Sequence, residues 1–158
     1  AANLICRDGG KILNIGFGMG LIDNYIQLNN IKEHWIIEAH PQVIAKMKQD
    51  KWDKKPNVNC IFNDWRNVIN DLPKFDGIYF DTWADNQGDL LYNLDKILNP
   101  GGKFSTFSYS PSVFYKKYTI EEHETKLKKI PSNQLAGGKY YFKPTNKNFK
   151  HKLIIKNK

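Results

Sequence analysis

Apolar residues recur along this chain in two alternating rhythms. Short apolar runs without helical period occupy Lys11 to Phe17 (KILNIGF), His34 to Ala39 (HWIIEA), Val58 to Asn63 (VNCIFN), Phe75 to Thr82 (FDGIYFDT) and Lys103 to Tyr109 (KFSTFSY). Runs of that length suit strands buried on both faces. Between them lie segments of helical spacing. Met19 to Asn29 carries Leu21, Ile22, Tyr25, Ile26 and Leu28, and Asp89 to Leu98 carries Leu90, Leu91, Leu94, Ile97 and Leu98. Both patterns predict helices with one apolar side. Pro41 to Gln49 reads as a further helix, with proline placed in its first turn. Asn99-Pro100-Gly101-Gly102 is a stop signal for the helix before it, and Lys51 to Asn57 reads as a polar loop.

The rhythm weakens afterwards. Tyr118 to Ile130 reads as a strand that turns polar, and Pro131 to Gly138 as a loop. Lys139 to Lys143 and Lys150 to Lys156 form either one interrupted strand or a hairpin. Strand–helix alternation predicts an α/β fold, a three-layer Rossmann-like sandwich with a mostly parallel sheet and a C-terminal antiparallel hairpin. Such sheets bind ligands beyond the carboxyl ends of their strands, so the informative residues belong just after the first four strands.

A length of 158 residues fits one domain, expected to comprise a core over residues 1–110 and basic strands over 111–158. Hydrophobic residues at 41% and charged residues at 25% exclude wholesale disorder. No apolar run is long enough for a membrane span, and no secretory leader is expected in Ala1 to Gly10, which holds Arg7 and Asp8.

The net charge of +8 is unevenly placed. Residues 1–110 carry 12 Lys+Arg against 13 Asp+Glu, and residues 111–158 carry 12 Lys against 3 Glu. A basic tail can attract nucleic acid, but no arginine cluster or stacking motif sharpens that reading, and a solvated lysine-bearing surface is favoured. Cys6 and Cys60 read as small core hydrophobes in a reducing, cytoplasmic setting. His34, His40, His123 and His151 show no metal-ligand spacing, so no metal is expected.

Four positions carry candidate chemistry. Gly16-Phe17-Gly18-Met19-Gly20 lets the backbone turn sharply after a strand and approach a ligand, with a helix start behind it. Leu21 stands where the dinucleotide fingerprint needs glycine or alanine, which points away from NAD. Glu38 ends the second strand, where doubly wound folds place a carboxylate on a ribose. Asp64 follows the third strand and reads equally as an acceptor for an adenine amine or as the cap of a turn over Arg66 to Ile69. Asp81 ends the apolar run Ile78-Tyr79-Phe80, and a carboxylate there is costly unless it meets a cation or donors.

In order these segments read NIGFGMG, HWIIEAHP, FDGIYFDTW and LNPGGKFS. The series resembles class I S-adenosylmethionine-dependent methyltransferases. More narrowly it is similar to guanidinoacetate N-methyltransferase and the fungal protein arginine delta-N-methyltransferases, over about residues 1–110. The resemblance implies S-adenosyl-L-methionine as cofactor and a guanidino nitrogen, on a small molecule or a protein arginine, as acceptor. It implies that Gly16, Phe17, Gly18, Met19, Gly20, Leu21 and Ile22 meet the methionine part of the cofactor. Glu38 would hold the ribose, with Ala39 and His40 beside the adenine and Asp64 and Trp65 at its edge. Asp81 would touch both cofactor and acceptor and act as the catalytic carboxylate. Thr82, Trp83, Tyr109 and Ser110 would meet the acceptor.

Three departures from that pattern stand out. Asn14 occupies the place where many class I methyltransferases carry an acid. The connection from Asp81 to Pro100 is short. The family's N-terminal lid, which brings a second carboxylate, is expected to be absent, with Asp85 a local substitute. Two other functions compete. Nucleic-acid methylation would suit the basic tail, but Asp81-Thr82-Trp83-Ala84 lacks the Pro-Pro-aromatic run and neither cysteine follows a proline. A cofactor-binding module without transferase activity is the third reading.

Overall fold

The computed structural model describes residues 1–82, 87–106, 117–126, 135–136, 139–140 and 148–158. Five strands run parallel: β1 (Lys11–Ile15), β2 (Glu33–Ile37), β3 (Val58–Ile61), β4 (Phe75–Phe80) and β5 (Leu98–Thr106). Strands β6 (Tyr118–Lys126) and β9 (Asn148–Lys156) complete a seven-stranded sheet of order β3-β2-β1-β4-β5-β9-β6. Strand β9 is antiparallel to both its neighbours, so the C-terminal antiparallel pair is present. Among the described residues the short strands β7 (Leu135–Ala136) and β8 (Lys139–Tyr140) pair with each other alone.

Burial on both faces explains why β1 and β4 are almost continuously apolar. Ile12, Asn14, His34, Ile36 and Tyr79 face one layer, made by α1 (Ala2–Ile5), α2 (Leu21–Gln27) and α3 (Pro41–Gln49). Leu13, Ile15, Ile37, Ile78 and Phe80 face the other, with α4 (Trp65–Val68) and α5 (Gln87–Ile97). The α/β sandwich expected from the alternation is therefore the fold.

Several boundaries differ from the sequence reading for physical reasons. Strand β5 begins at Leu98 and runs through the predicted helix stop. Leu98 pairs with Phe75, and Asn99 Nδ2 donates to Asp76 Oδ1 at 2.8 Å, which draws the turn-rich segment onto the sheet with a register break beside Asp76. The polar loop after α3 holds a 3-10 turn over Trp52–Lys54, and Trp52 is buried edge-on to Phe17 and His34. Leu135–Ala136 forms a strand inside the segment read as loop. Helix α2 turns Asp23 and Ile26 inward and leaves Leu21, Tyr25 and Leu28 exposed, so only part of its apolar spacing is core.

The basic C-terminal region is tied to the core by its lysines. Lys156 Nζ lies 2.9 Å from Asp95 Oδ1 and donates to the backbone carbonyls of Asp95 and Leu98 at 2.8 and 3.0 Å. Those carbonyls close α5, so a lysine from β9 serves as the helix's C-terminal cap. Lys117 pairs with the other Asp95 oxygen at 2.7 Å, and Lys152 lies 4.0 Å from Glu122. Buried Lys103 pairs with Asp8. Among the described residues no helix is long and apolar enough to cross a membrane, and no group of three or more His, Cys, Asp or Glu is placed to hold a metal ion.

Candidate functional site

Chain direction places the carboxyl ends of β1, β2, β3 and β4 side by side, and a cleft of about 640 Å³ opens there. It is lined by Gly16 and Gly18 after β1, Glu38 to Pro41 after β2, Asn63 to Arg66 after β3, and Asp81 and Thr82 after β4. A volume of that order matches a small-ligand site.

Two glycines make the floor. Gly16 has φ +95°, and a Cβ there would stand 2.4 Å from the Asp81 carbonyl oxygen. The turn is therefore closed against β4 and admits no side chain. Gly18, with φ +54°, is the opposite case: a Cβ would meet nothing within 4 Å. The loop presents bare backbone to open space. Phe17 between them is buried against Trp52, with ring centroids 5.2 Å apart, so its side chain anchors the loop rather than lining the cleft. Met19, Gly20, Leu21 and Ile22 do not line the cleft either; Met19 and Leu21 are exposed beside it.

Glu38 is buried and holds the loop's backbone. Its Oε2 accepts from the N–H groups of Phe17 at 2.8 Å and Gly18 at 3.3 Å, and its Oε1 accepts from His40 N–H at 2.7 Å. One carboxylate thus joins the turn after β1 to the start of α3. Oε2 has both lone-pair sites taken, and Oε1, with one bond made, keeps one.

Asp64 is the cap of α4: its Oδ1 accepts from Arg66 N–H at 2.8 Å. Of its two readings, the cap is the one realised by a contact, and its exposed carboxylate also borders the cleft. Trp65 is buried edge-on to Phe80, and the Arg66 guanidinium lies 4.6 Å over the Trp65 ring.

Asp81 is placed by its own backbone, whose N–H donates to the Ile15 carbonyl at 2.8 Å and continues the β1–β4 pairing past the strand end. Its carboxylate keeps one side in solvent while the cleft wall strips part of its hydration. That desolvation, reinforced by the Asp23 carboxylate, holds Asp81 above the usual carboxylate range. Burial and the Asp81 charge push the neighbouring Tyr79 hydroxyl up to about 12. Thr82 Oγ1 is buried with no hydrogen-bond partner among the described residues. Trp83, Asp85, Tyr109 and Ser110 lie outside the described residues.

Sequence reasoning missed Asp23 and His34. Both are fully buried behind the loop, with His34 Nε2 3.1 Å from Asp23 Oδ1. The signal was present: a carboxylate between Ile22 and Tyr25 interrupts the apolar face of α2.

Comparison with known proteins decides the family. The sequence profile of guanidinoacetate N-methyltransferase matches residues 1–99. The chain belongs to the guanidinoacetate N-methyltransferase family. Within it, protein arginine N-methyltransferase 2 of Candida glabrata is 47% identical over 105 residues, covering 61% of this chain and 26% of that protein. The Saccharomyces cerevisiae protein of the same name is 45% identical over 109 residues, with 64% and 26% covered. The chain thus spans about a quarter of the length of these relatives. Among solved structures, an rRNA methylase from Streptococcus thermophilus superposes with TM-score 0.67 at 13% identity, covering 99% of this chain and 94% of that one. The N-methyltransferase NodS from Bradyrhizobium japonicum superposes with TM-score 0.64 at 13% identity, covering 99% and 92%. At such identity these neighbours attest to the fold alone.

The residues present suit an adenosyl cofactor of the kind this family implies. Bare backbone at Gly18 leaves room for it, Glu38 Oε1 can accept from a sugar hydroxyl, and Thr82 Oγ1 is a hydroxyl without a partner among the described residues.

Proposed function

We propose that this chain is the catalytic part of an S-adenosylmethionine-dependent N-methyltransferase acting on a guanidino nitrogen, with a protein arginine as acceptor. The single observation that carries this reading is Asp81, a carboxylate held above its usual range at the mouth of a cleft floored by the glycine loop. The names of the two fungal relatives favour protein arginine over a free small molecule.

Bound S-adenosylmethionine supplies a methyl group on a positively charged sulfur. Glu38 would accept from the ribose, Ala39, His40 and Trp65 would border the base, and the bare backbone of Gly16 and Gly18 would pass beneath the methionine part. Asp81 and Thr82 would face the acceptor. A guanidinium is protonated throughout the physiological range and has no lone pair to attack with. The ionised Asp81 carboxylate offsets the charge of the approaching guanidinium, orients one nitrogen and receives its proton as the new N–C bond forms. Holding the nitrogen in line with the reacting carbon supplies much of the acceleration.

Three of the described C-terminal lysines have acidic partners: Lys117 and Lys156 pair with Asp95, and Lys152 approaches Glu122. That favours guanidino over nucleic-acid methylation.

The test is transfer of a labelled methyl group from the cofactor to arginine-containing peptides, free arginine, guanidinoacetate and RNA. Labelling of arginine peptides, lost in Asp81→Asn, supports the reading. Labelling of RNA alone overturns it, and cofactor binding without transfer to any acceptor leaves a binding module.

A further inference from the structure

Behind the glycine loop four polar side chains form a buried line. Asp23 on α2, Asn14 on β1 and His34 on β2 are each fully buried. Asn14 Nδ2 lies 2.9 Å from both Asp23 oxygens and 2.9 Å from the Gly16 carbonyl oxygen. His34 Nε2 stands 3.1 Å from Asp23 Oδ1, and the Gln27 side-chain amide meets His34 Nδ1 at 3.0 Å.

Asp23 is therefore a buried carboxylate held by the Asn14 amide and the His34 imidazole. Among the described residues no lysine or arginine pairs with it. Such a group is expensive to bury, and an asparagine would fit the same space without that cost. Its charge is felt at the cleft, where it acts on Asp81. The other charged or titratable groups around Asp81 are Glu38 after β2, His40 at the start of α3, Asp64 and Arg66 at α4, and Tyr79 on β4. Arg66 is drawn to the Trp65 ring and to Asp64 and Asp89. The cleft thus carries carboxylates after β2, β3 and β4, with Asp23 buried behind its β1 side, which favours a cation.

We propose that Asp23 is a positioning residue for the cofactor: its buried carboxylate, tied through Asn14 to the Gly16 carbonyl, makes the glycine loop a seat for positive sulfur and so discriminates the sulfonium cofactor from its uncharged thioether product. This rests on the cofactor reading above. The consequence is a weaker hold on the ligand once the methyl has left.

The experiment is calorimetric titration of the 158-residue chain and its Asp23→Asn variant with S-adenosylmethionine and with S-adenosylhomocysteine. The variant keeps shape and removes charge. We expect its Kd for the sulfonium ligand to rise about tenfold and that for the thioether to rise less than about threefold. The acid limb of its transfer rate should also move to lower pH, because Asp81 loses a like-charged neighbour. Equal changes for the two ligands, or none, overturn the proposal, as does an unmoved acid limb. Should the variant fail to fold, the wild type is titrated with an analogue bearing a protonated amine in place of the sulfonium. Binding at least as tight as the thioether supports the proposal, and weaker binding overturns it. A wild type that binds no adenosyl ligand overturns the cofactor reading first, and this proposal with it.

Discussion

Glu38 accepts a hydrogen bond from the Phe17 backbone N–H at 2.8 Å, so the acid expected to grip a sugar already grips the loop beneath it. The same carboxylate reaches Gly18 and His40. One side chain sets the spacing between the turn after β1 and the start of α3, which are two walls of the cleft. Glu38→Gln keeps the size but loses the charge that strengthens these bonds. We expect a stability loss of about 1–3 kcal/mol in urea unfolding. We also expect at least about a tenfold rise in Kd for S-adenosylmethionine by calorimetry. Unchanged affinity in a folded variant would remove Glu38 from the cofactor site.

The two loop glycines should respond oppositely to alanine. At Gly16 the methyl collides with the Asp81 backbone at positive φ, so Gly16→Ala should cost about 2–4 kcal/mol of stability. At Gly18 the methyl meets open cleft, so Gly18→Ala should cost only about 1–2 kcal/mol, from backbone conformation. Its effect should appear in ligand affinity, because the methyl occupies the space the ligand needs. Chemical denaturation and calorimetry on both variants separate the two outcomes.

Asp81 makes stability and activity run in opposite directions with pH. Its folded pKa is raised, so the protonated form is the one folding favours. The stability it contributes is complete below the unfolded value of about 4 and is lost as pH rises through the higher folded value. Proton acceptance needs the ionised form, so transfer should rise with pH through that same raised value. Asp81→Asn should melt higher than wild type at pH 7 and equally at pH 3. It should abolish methyl transfer while changing cofactor affinity by less than about tenfold. A variant that turns over would show that another group takes the proton.

The α5 cap gives a prediction of the opposite sign. Lys117, Lys156 and the Tyr118 hydroxyl hold Asp95 well below the usual carboxylate range. A lowered folded pKa contributes stability above the unfolded value, which is lost as pH falls through the folded one. Lys156→Met should cost about 1–2 kcal/mol at pH 7, because the Asp95 and Leu98 carbonyls at the end of α5 lose their donor and the Asp95 carboxylate loses one of its two lysines. The gap between variant and wild type should narrow in acid. Urea unfolding at pH 7 and pH 3 measures both.

Element order and layer assignment were readable from apolar periodicity, because strands buried on both faces leave continuous runs such as Lys11 to Ile15 and Phe75 to Phe80. The Pro41–Gln49 helix matches in both bounds, since proline marks its start and the Lys46–Asp50 pair closes its last turn. What failed was what long-range contacts decide. Asn99-Pro100-Gly101-Gly102 carries every local sign of a turn, yet Asp76 recruits it into β5. Trp52 sits in a lysine-rich stretch, and only the fold shows it packing under Phe17. In the site, Glu38 and Asp81 were legible because strand ends locate them. Asp23 was not, because a helix residue's facing depends on what lies across the layer.

The place of β9 in the sheet has a consequence for biosynthesis. Among the described residues it follows β1 to β8 in sequence, yet it lies inside the sheet between β5 and β6. During translation β6 has no neighbour to zip onto, and α5 has no lysine at its carboxyl end, until residues 148–156 leave the ribosome. The nascent chain can assemble its cofactor-facing half early, but it carries an open β5 edge until β9 emerges, the interval in which a chaperone or a neighbouring polypeptide has its best chance to add a strand of its own.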